Sequence, residues 1–216
     1  MLKEKPDIVE DAAMPARAIL LAALLPLLPG CLASTRDTPE GTPLRGLEVQ
    51  PDIPVSNPPF DRVQVSWKHR MAQPYVFLEA TGSYTRVGQH LEEATRLAQE
   101  QGLEVTGPPF ALYYDDPGQV PVDQLRLRAC LPVAGPLGFR QPLQYEVLES
   151  TTVVYAFVSG PYPDVPRAYP ALYAYLSELG WREDGPVRES YLVNPAVVGD
   201  FSELVTEVQI PAASAR

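Results

Sequence analysis

Two cysteines and two histidines are all that 216 residues offer to thiol, imidazole or soft-metal chemistry. His69 and His90 stand 21 positions apart, and no Cys, His, Asp and Glu spacing matches a ligand set, so neither a metal nor another cofactor is expected. Cys31 closes an apolar run while Cys130 falls in a predicted strand, which argues against a disulfide and makes Cys130 a small buried hydrophobe. No run of Lys or Arg is present and the formal net charge is -10, which excludes an electrostatic nucleic-acid surface and favours cationic over anionic ligands. Nucleophilic serine motifs, Ser/His/Asp arrangements and phosphate-cradling loops are absent too. The apolar run at 18–28 is too short to cross a bilayer.

That run has the size of a signal-peptide core, with Arg17 as its positive flank. Met14 begins a better leader than Met1, because residues 1–13 carry four acids against two lysines. The run ends Leu28-Pro29-Gly30-Cys31, which resembles the lipobox of bacterial lipoproteins. The resemblance implies a signal peptide over 1–31, lipidation of Cys31 and, with Leu32 following, anchoring at the outer membrane on its periplasmic side. Many of the 25 prolines lie in the first 60 residues, and 32–59 reads as an aperiodic tether.

From there one α+β domain is expected over 60–211. Val63 and Val65 alternate with polar residues, and Tyr75 to Ala80 form a second apolar strand. Val87, Leu91, Ala94 and Ala98 then recur at helical spacing as far as Gly102. Strands follow from Gly107 to Tyr113 and from Leu125 to Val133, separated by a turn at Asp115-Asp116-Pro117-Gly118.

The second half repeats the first. Gly82, Gly102 and Gly107 recur as Gly160, Gly180 and Gly185, and Tyr84, Pro108 and Tyr113 as Tyr162, Pro186 and Tyr191, all at an offset of 78. Leu125–Pro132 matches Leu204–Pro211 at an offset of 79. This implies a duplicated strand-strand-helix-strand-strand unit, about 61–133 and 140–211, whose halves pack about a pseudo-two-fold. Pro166 and Pro170 fall in the second helix, which either starts near Ala168 or is kinked.

Within Gly185-Pro186-Val187-Arg188-Glu189-Ser190-Tyr191-Leu192, a period of two puts Glu189 on one face with Val187 and Tyr191. A carboxylate on such a face must be paired, or face a cavity or ligand. Arg126, Arg128 and Arg140 are candidate partners, and ligand-facing is the alternative. The matching position in the first half is Ala111, so a cavity between the halves would hold one acid with space beside it. Tyr113, Tyr191, Tyr155, Phe157, Phe77 and Trp181 are its candidate walls, suited to a cation through charge pairing and cation-π contact, although any one of them can simply be core.

The duplicated unit, with Gly-Pro-Tyr at 160–162, Leu179-Gly180-Trp181 and Arg-Glu-Ser-Tyr-Leu-Val-Asn-Pro at 188–195, resembles the GyrI-like family, also called the AraC or multidrug-regulator effector-binding domain. The resemblance implies a continuous antiparallel sheet with two helices on one face and a concave, small-molecule-binding surface between the repeats on the other. It also implies Glu189 as the buried acid that reads cationic, lipophilic compounds. The expected function is therefore membrane-anchored binding of a small amphipathic or cationic molecule, with no nucleic-acid partner. Two alternatives stand: a hydrolase of strained-ring or toxic small molecules in which Glu189 activates water with Tyr113 or Tyr191 assisting, and a non-catalytic periplasmic scaffold.

Overall fold

The computed structural model describes residues 50–136 and 138–215. The expected signal peptide with Cys31, and the tether as far as residue 49, lie outside the described residues. Residues 56–60 sit against the domain: Ser56 bridges to Val158, and Ser159 Oγ donates to Asn57 Oδ1 at 2.6 Å.

Among the described residues nine strands and two α-helices follow. They are β1 (Ser66–Arg70), β2 (Gln73–Thr81), α1 (Val87–Glu100), β3 (Phe110–Tyr113), β4 (Arg126–Pro132), β5 (Gln144–Leu148), β6 (Thr151–Ser159), α2 (Tyr169–Glu178), β7 (Trp181–Glu183), β8 (Val187–Tyr191) and β9 (Val205–Ser214). All pairings are antiparallel, in one curled sheet ordered β1-β6-β9-β8-β3-β4-β2-β5, with β7 added beside β9. Replacing each strand by the one 78 or 79 positions away reverses that order. The first strand of each half crosses over: β1 pairs with β6, and β5 with β2.

Several boundaries follow from local chemistry. Pro108 and Pro109 have no N–H to give a ladder, so β3 begins only at Phe110. Gly102 ends α1 and Gly180 ends α2, at φ +66° and +65°, where a side chain would be strained. Pro166 lies inside a 3-10 segment, Tyr162–Ala168, where its missing amide leaves one bond unmade, and α2 starts at Tyr169 with Pro170 in its first turn. The first of the two expectations for this helix is therefore the observed one.

The first strand departs from expectation. Val63 and Val65 are not in the sheet but pack against the α2 cluster, and β1 is the next five residues, Ser-Trp-Lys-His-Arg. As an edge strand with Trp67 51% exposed, β1 lacks the apolar alternation that marks half-buried strands, so its place is set by its partner β6. The three-residue β7 was not expected either.

The sheet has two unlike faces. On one, α1 buries Val87, Leu91, Ala94 and Ala98 against Val76, Leu127 and Leu131, and α2 buries Leu172 and Leu176 against Val154, Val208 and Ile210. The other face, called inner below, carries Tyr75, Phe77, Phe110, Leu112 and the fully buried Cys130.

Leu172 has no exposed surface and centres the α2 cluster, so Leu172→Ala is expected to lower stability by about 2–5 kcal/mol. Phe201→Ala, at a side chain 60% exposed, should change it by no more than about 0.5 kcal/mol. Urea denaturation of both variants checks this, and equal effects would contradict the assigned core.

Candidate functional site

The two Gly-Pro strands meet in the middle of the sheet, where β3 and β8 pair with Phe110 opposite Ser190, Ala111 opposite Glu189 and Leu112 opposite Arg188. Ala111 and Glu189 are also the positions that the 78-residue offset relates, so the acid stands where the two halves join. Directly opposed residues share a face, which puts Glu189 with Ala111 and Val208 on the side covered by the helices.

Glu189 is 4% exposed and makes no ion pair among the described residues. The expected arginines are engaged elsewhere: Arg126 with Asp115 at 2.8 Å, Arg128 with Glu79 and Glu146, while the Arg140 backbone meets Gln101. Three phenols surround the carboxyl instead. Tyr169 Oη donates to Oε1 at 2.6 Å, Tyr191 Oη donates to Oε2 at 2.9 Å, and Tyr113 Oη lies 3.2 Å from Oε2 and 2.8 Å from Tyr191 Oη. A second ring of tyrosines backs these: Tyr84 lies 4.7 Å from Tyr113, and Tyr162 4.6 Å from Tyr191, between ring centroids.

Tyr191 is buried, whereas Tyr113 and Tyr169 keep part of their ring surface exposed although their hydroxyls are enclosed beside the carboxyl. Burial pushes the Glu189 carboxyl above its ordinary range, and the hydrogen bonds from Tyr169, Tyr191 and Tyr113 pull it down by less. Burial first, and then the Glu189 charge, hold the three phenols well above theirs.

Of the expected site residues, Glu189, Tyr113 and Tyr191 come together. Phe77, Tyr155 and Phe157 do not. Register places Tyr155 in line with Gln209 and Arg188, Phe157 with Glu207 and Ser190, and Phe77 with Cys130 and Phe110, all on the inner face. Trp181 lies on β7, edge-on to Trp67 at 5.8 Å, and packs against the α2 cluster outside the box. The acid is likewise on the helix side of the sheet, not on the opposite surface that the family resemblance implied. Tyr169 was missed. Its signal was the Pro166–Pro170 pair, which forces the helix to restart at the residue that reaches the carboxyl. Tyr162 was seen as a repeat landmark but not as a wall. Among the described residues no three His, Cys, Asp or Glu side chains gather as a metal site.

A family model described as the GyrI-like small molecule binding domain matches residues 64–213. The chain belongs to the GyrI-like family. Among curated proteins no relative matches this GyrI-like chain. Among solved structures, the C-terminal domain of EcmrR is similar over 71% of this chain and 99% of its own, at 20% identity and TM-score 0.64. EcmrR solved in complex with DNA matches 70% of this chain and 58% of its own, at 20% identity and TM-score 0.63. A hydrolase from Listeria innocua encoded by lin2189 is similar over 70% of this chain and 93% of its own, at 11% identity and TM-score 0.50. SAV2435 bound to tetraphenylphosphonium covers 69% of this chain and 94% of its own, at 12% identity and TM-score 0.48. At these identities the likeness is one of fold.

A carboxyl whose proton is held more tightly folded than unfolded stabilises the fold fully at acid pH. That contribution is lost as pH rises from the ordinary value of 4.5 towards the raised folded one. Urea denaturation of the wild type and Glu189→Gln across pH 4 to 8 is therefore expected to show the wild type losing ground to the variant as pH rises. Parallel curves would contradict a buried, raised carboxyl.

Proposed function

We propose that this GyrI-like protein binds a small lipophilic cation at Glu189, from a position tethered to the cell envelope through Cys31. The observation that carries the reading is a buried carboxyl ringed by phenols with no lysine or arginine beside it among the described residues. A desolvated acid without a counter-charge is poor at holding the fold and well placed to reward an incoming positive charge, with tyrosine faces adding cation-π attraction.

Proton bookkeeping supports the same reading. The box has four O···O contacts, at 2.6, 2.8, 2.9 and 3.2 Å, but three phenols supply only three protons. The three phenol protons fill the three shorter contacts, and a proton on Glu189, which burial favours, would fill the 3.2 Å one. A cation then displaces that proton. Half-buried Tyr169, at the first residue of α2, is the side chain that must swing aside to admit it. The box between the halves also fits an origin by duplication about a pseudo-two-fold through the Ala111–Glu189 pair, which the reversible strand order and the 78-residue offset both support.

The carboxyl and its phenols would equally serve a hydrolase, with Glu189 activating water, and the same experiment separates the two readings. Calorimetric titration with tetraphenylphosphonium is expected to show binding by the wild type with release of about one proton, hence affinity that rises with pH and then levels off. Glu189→Gln should weaken it by roughly 10- to 100-fold, corresponding to about 1.5–3 kcal/mol for a charge-assisted contact. Turnover of a strained-ring substrate that vanishes in Glu189→Gln would favour the hydrolase. Failure to bind any of a panel of lipophilic cations, with no turnover, would leave the domain a scaffold.

A further inference from the structure

The inner face of the sheet carries a second group of buried polar side chains, one that the Glu189 box does not use. On β8 and β9, Arg188 stands opposite Gln209 and Ser190 opposite Glu207, and these are 6%, 4%, 1% and 5% exposed. Arg188 Nε, Ser190 Oγ and Gln209 Oε1 are buried without a hydrogen-bond partner among the described residues, and so is Nε of the half-buried Arg70. Buried polar atoms left unpaired are costly, so several at one place call for a polar partner to meet them.

The charges say which kind. The Arg188 guanidinium lies 4.0 Å over the Phe110 ring and makes no ion pair among the described residues. The acids on this face have other partners. Glu207 Oε1 is 2.7 Å from Lys68 Nζ, close enough for an ion pair though too bent for a hydrogen bond, and Glu79 and Glu146 are held by Arg128. Arg70 donates only to the Glu149 carbonyl, at 3.0 Å. Burial, then the like charge of Arg70, pulls Arg188 down to about 10, still charged at neutral pH. Around Arg188 this face therefore holds three cations, Arg70, Arg188 and Lys68, against one acid, Glu207, which is paired with Lys68 and also acts on both guanidiniums, so positive charge is in excess.

We infer that the inner face holds a second site, for a small organic monoanion, whose carboxylate is read by the Arg188 guanidinium. Ser190 Oγ and Gln209 Oε1 accept from a hydroxyl or amine beside that carboxylate, and the apolar body lies in the adjoining hollow against Tyr75, Leu112 and Leu148. That hollow, of about 500 Å3, is lined by Arg70, by Tyr75 and by Leu112, the cross-strand partner of Arg188. Glu149 and Asp184 are exposed on its rim, which disfavours a guest of higher negative charge. The site lies on the opposite side of the sheet from Glu189 and does not depend on the cation reading.

Mandelate, which has a carboxylate, an adjacent hydroxyl and a phenyl ring, is the probe, and neutral mandelamide its control. Calorimetry on the full domain is expected to show mandelate bound and mandelamide at least 10-fold weaker. Arg188→Gln should lose mandelate but keep tetraphenylphosphonium, and Glu189→Gln should do the reverse. Should Arg188→Gln not fold, Arg188→Lys keeps the charge without the planar fork and is expected to weaken mandelate about 10-fold. Equal binding of mandelate and mandelamide would overturn the proposal. So would an unchanged affinity in the arginine variant, or no binding of mandelate, benzoate or phosphate at millimolar concentration. Failure of the wild type to bind tetraphenylphosphonium, with mandelate still bound, would overturn the reading of Glu189 and leave this one standing.

Discussion

The structure turns on a single desolvated carboxyl placed where two halves of a sheet join. Glu189 is opposite Ala111 in the β3–β8 pairing, so its only cross-strand neighbour on that strand is the smallest side chain that still packs. No lysine or arginine reaches it among the described residues. The fold satisfies it with phenols: from β3 through Tyr113, from β8 through Tyr191 and from α2 through Tyr169. Phenols stabilise an acid less than a guanidinium does, so the burial effect prevails and the carboxyl stays reluctant to ionise.

Much of the rest can be understood as positioning that box. The proline pair at 166 and 170 delays the second helix until Tyr169, and the Gly-Pro openings start β3 and β8 so that their central residues pair. The repeat tyrosines at 84 and 162 then stack behind 113 and 191 in matching ways. A sheet with two unlike faces also separates charges. Among the described residues the helix side holds an acid without a cation, and the inner side holds the Arg188 guanidinium without an ion pair while its acids are paired with Lys68 and Arg128, in a chain whose formal net charge is -10.

Legibility in the sequence varied with how local each signal was. α1 could be read because Val87, Leu91, Ala94 and Ala98 repeat on one stripe, and the central strands because apolar residues and glycines punctuate them. Edge strand β1 could not, since Ser66–Arg70 has no alternation of its own and takes its place from β6 across the sheet. The site divided similarly. Glu189, Tyr113 and Tyr191 follow from strand parity and the internal repeat, whereas Phe77, Tyr155 and Phe157 were grouped with them only because aromatics are plausible walls.

By itself the sequence determined the matched spacing of glycines and tyrosines in its two halves, the family, the central strands and the acid on the apolar face of β8, because these depend on spacing along the chain. Only the tertiary structure decided which aromatics share a face with that acid, that the face is the one under the helices, and that Tyr169 rather than an arginine meets it. Those are relations across paired strands, where a shift of one residue exchanges inside for outside, and no spacing within one strand records the register of its neighbour.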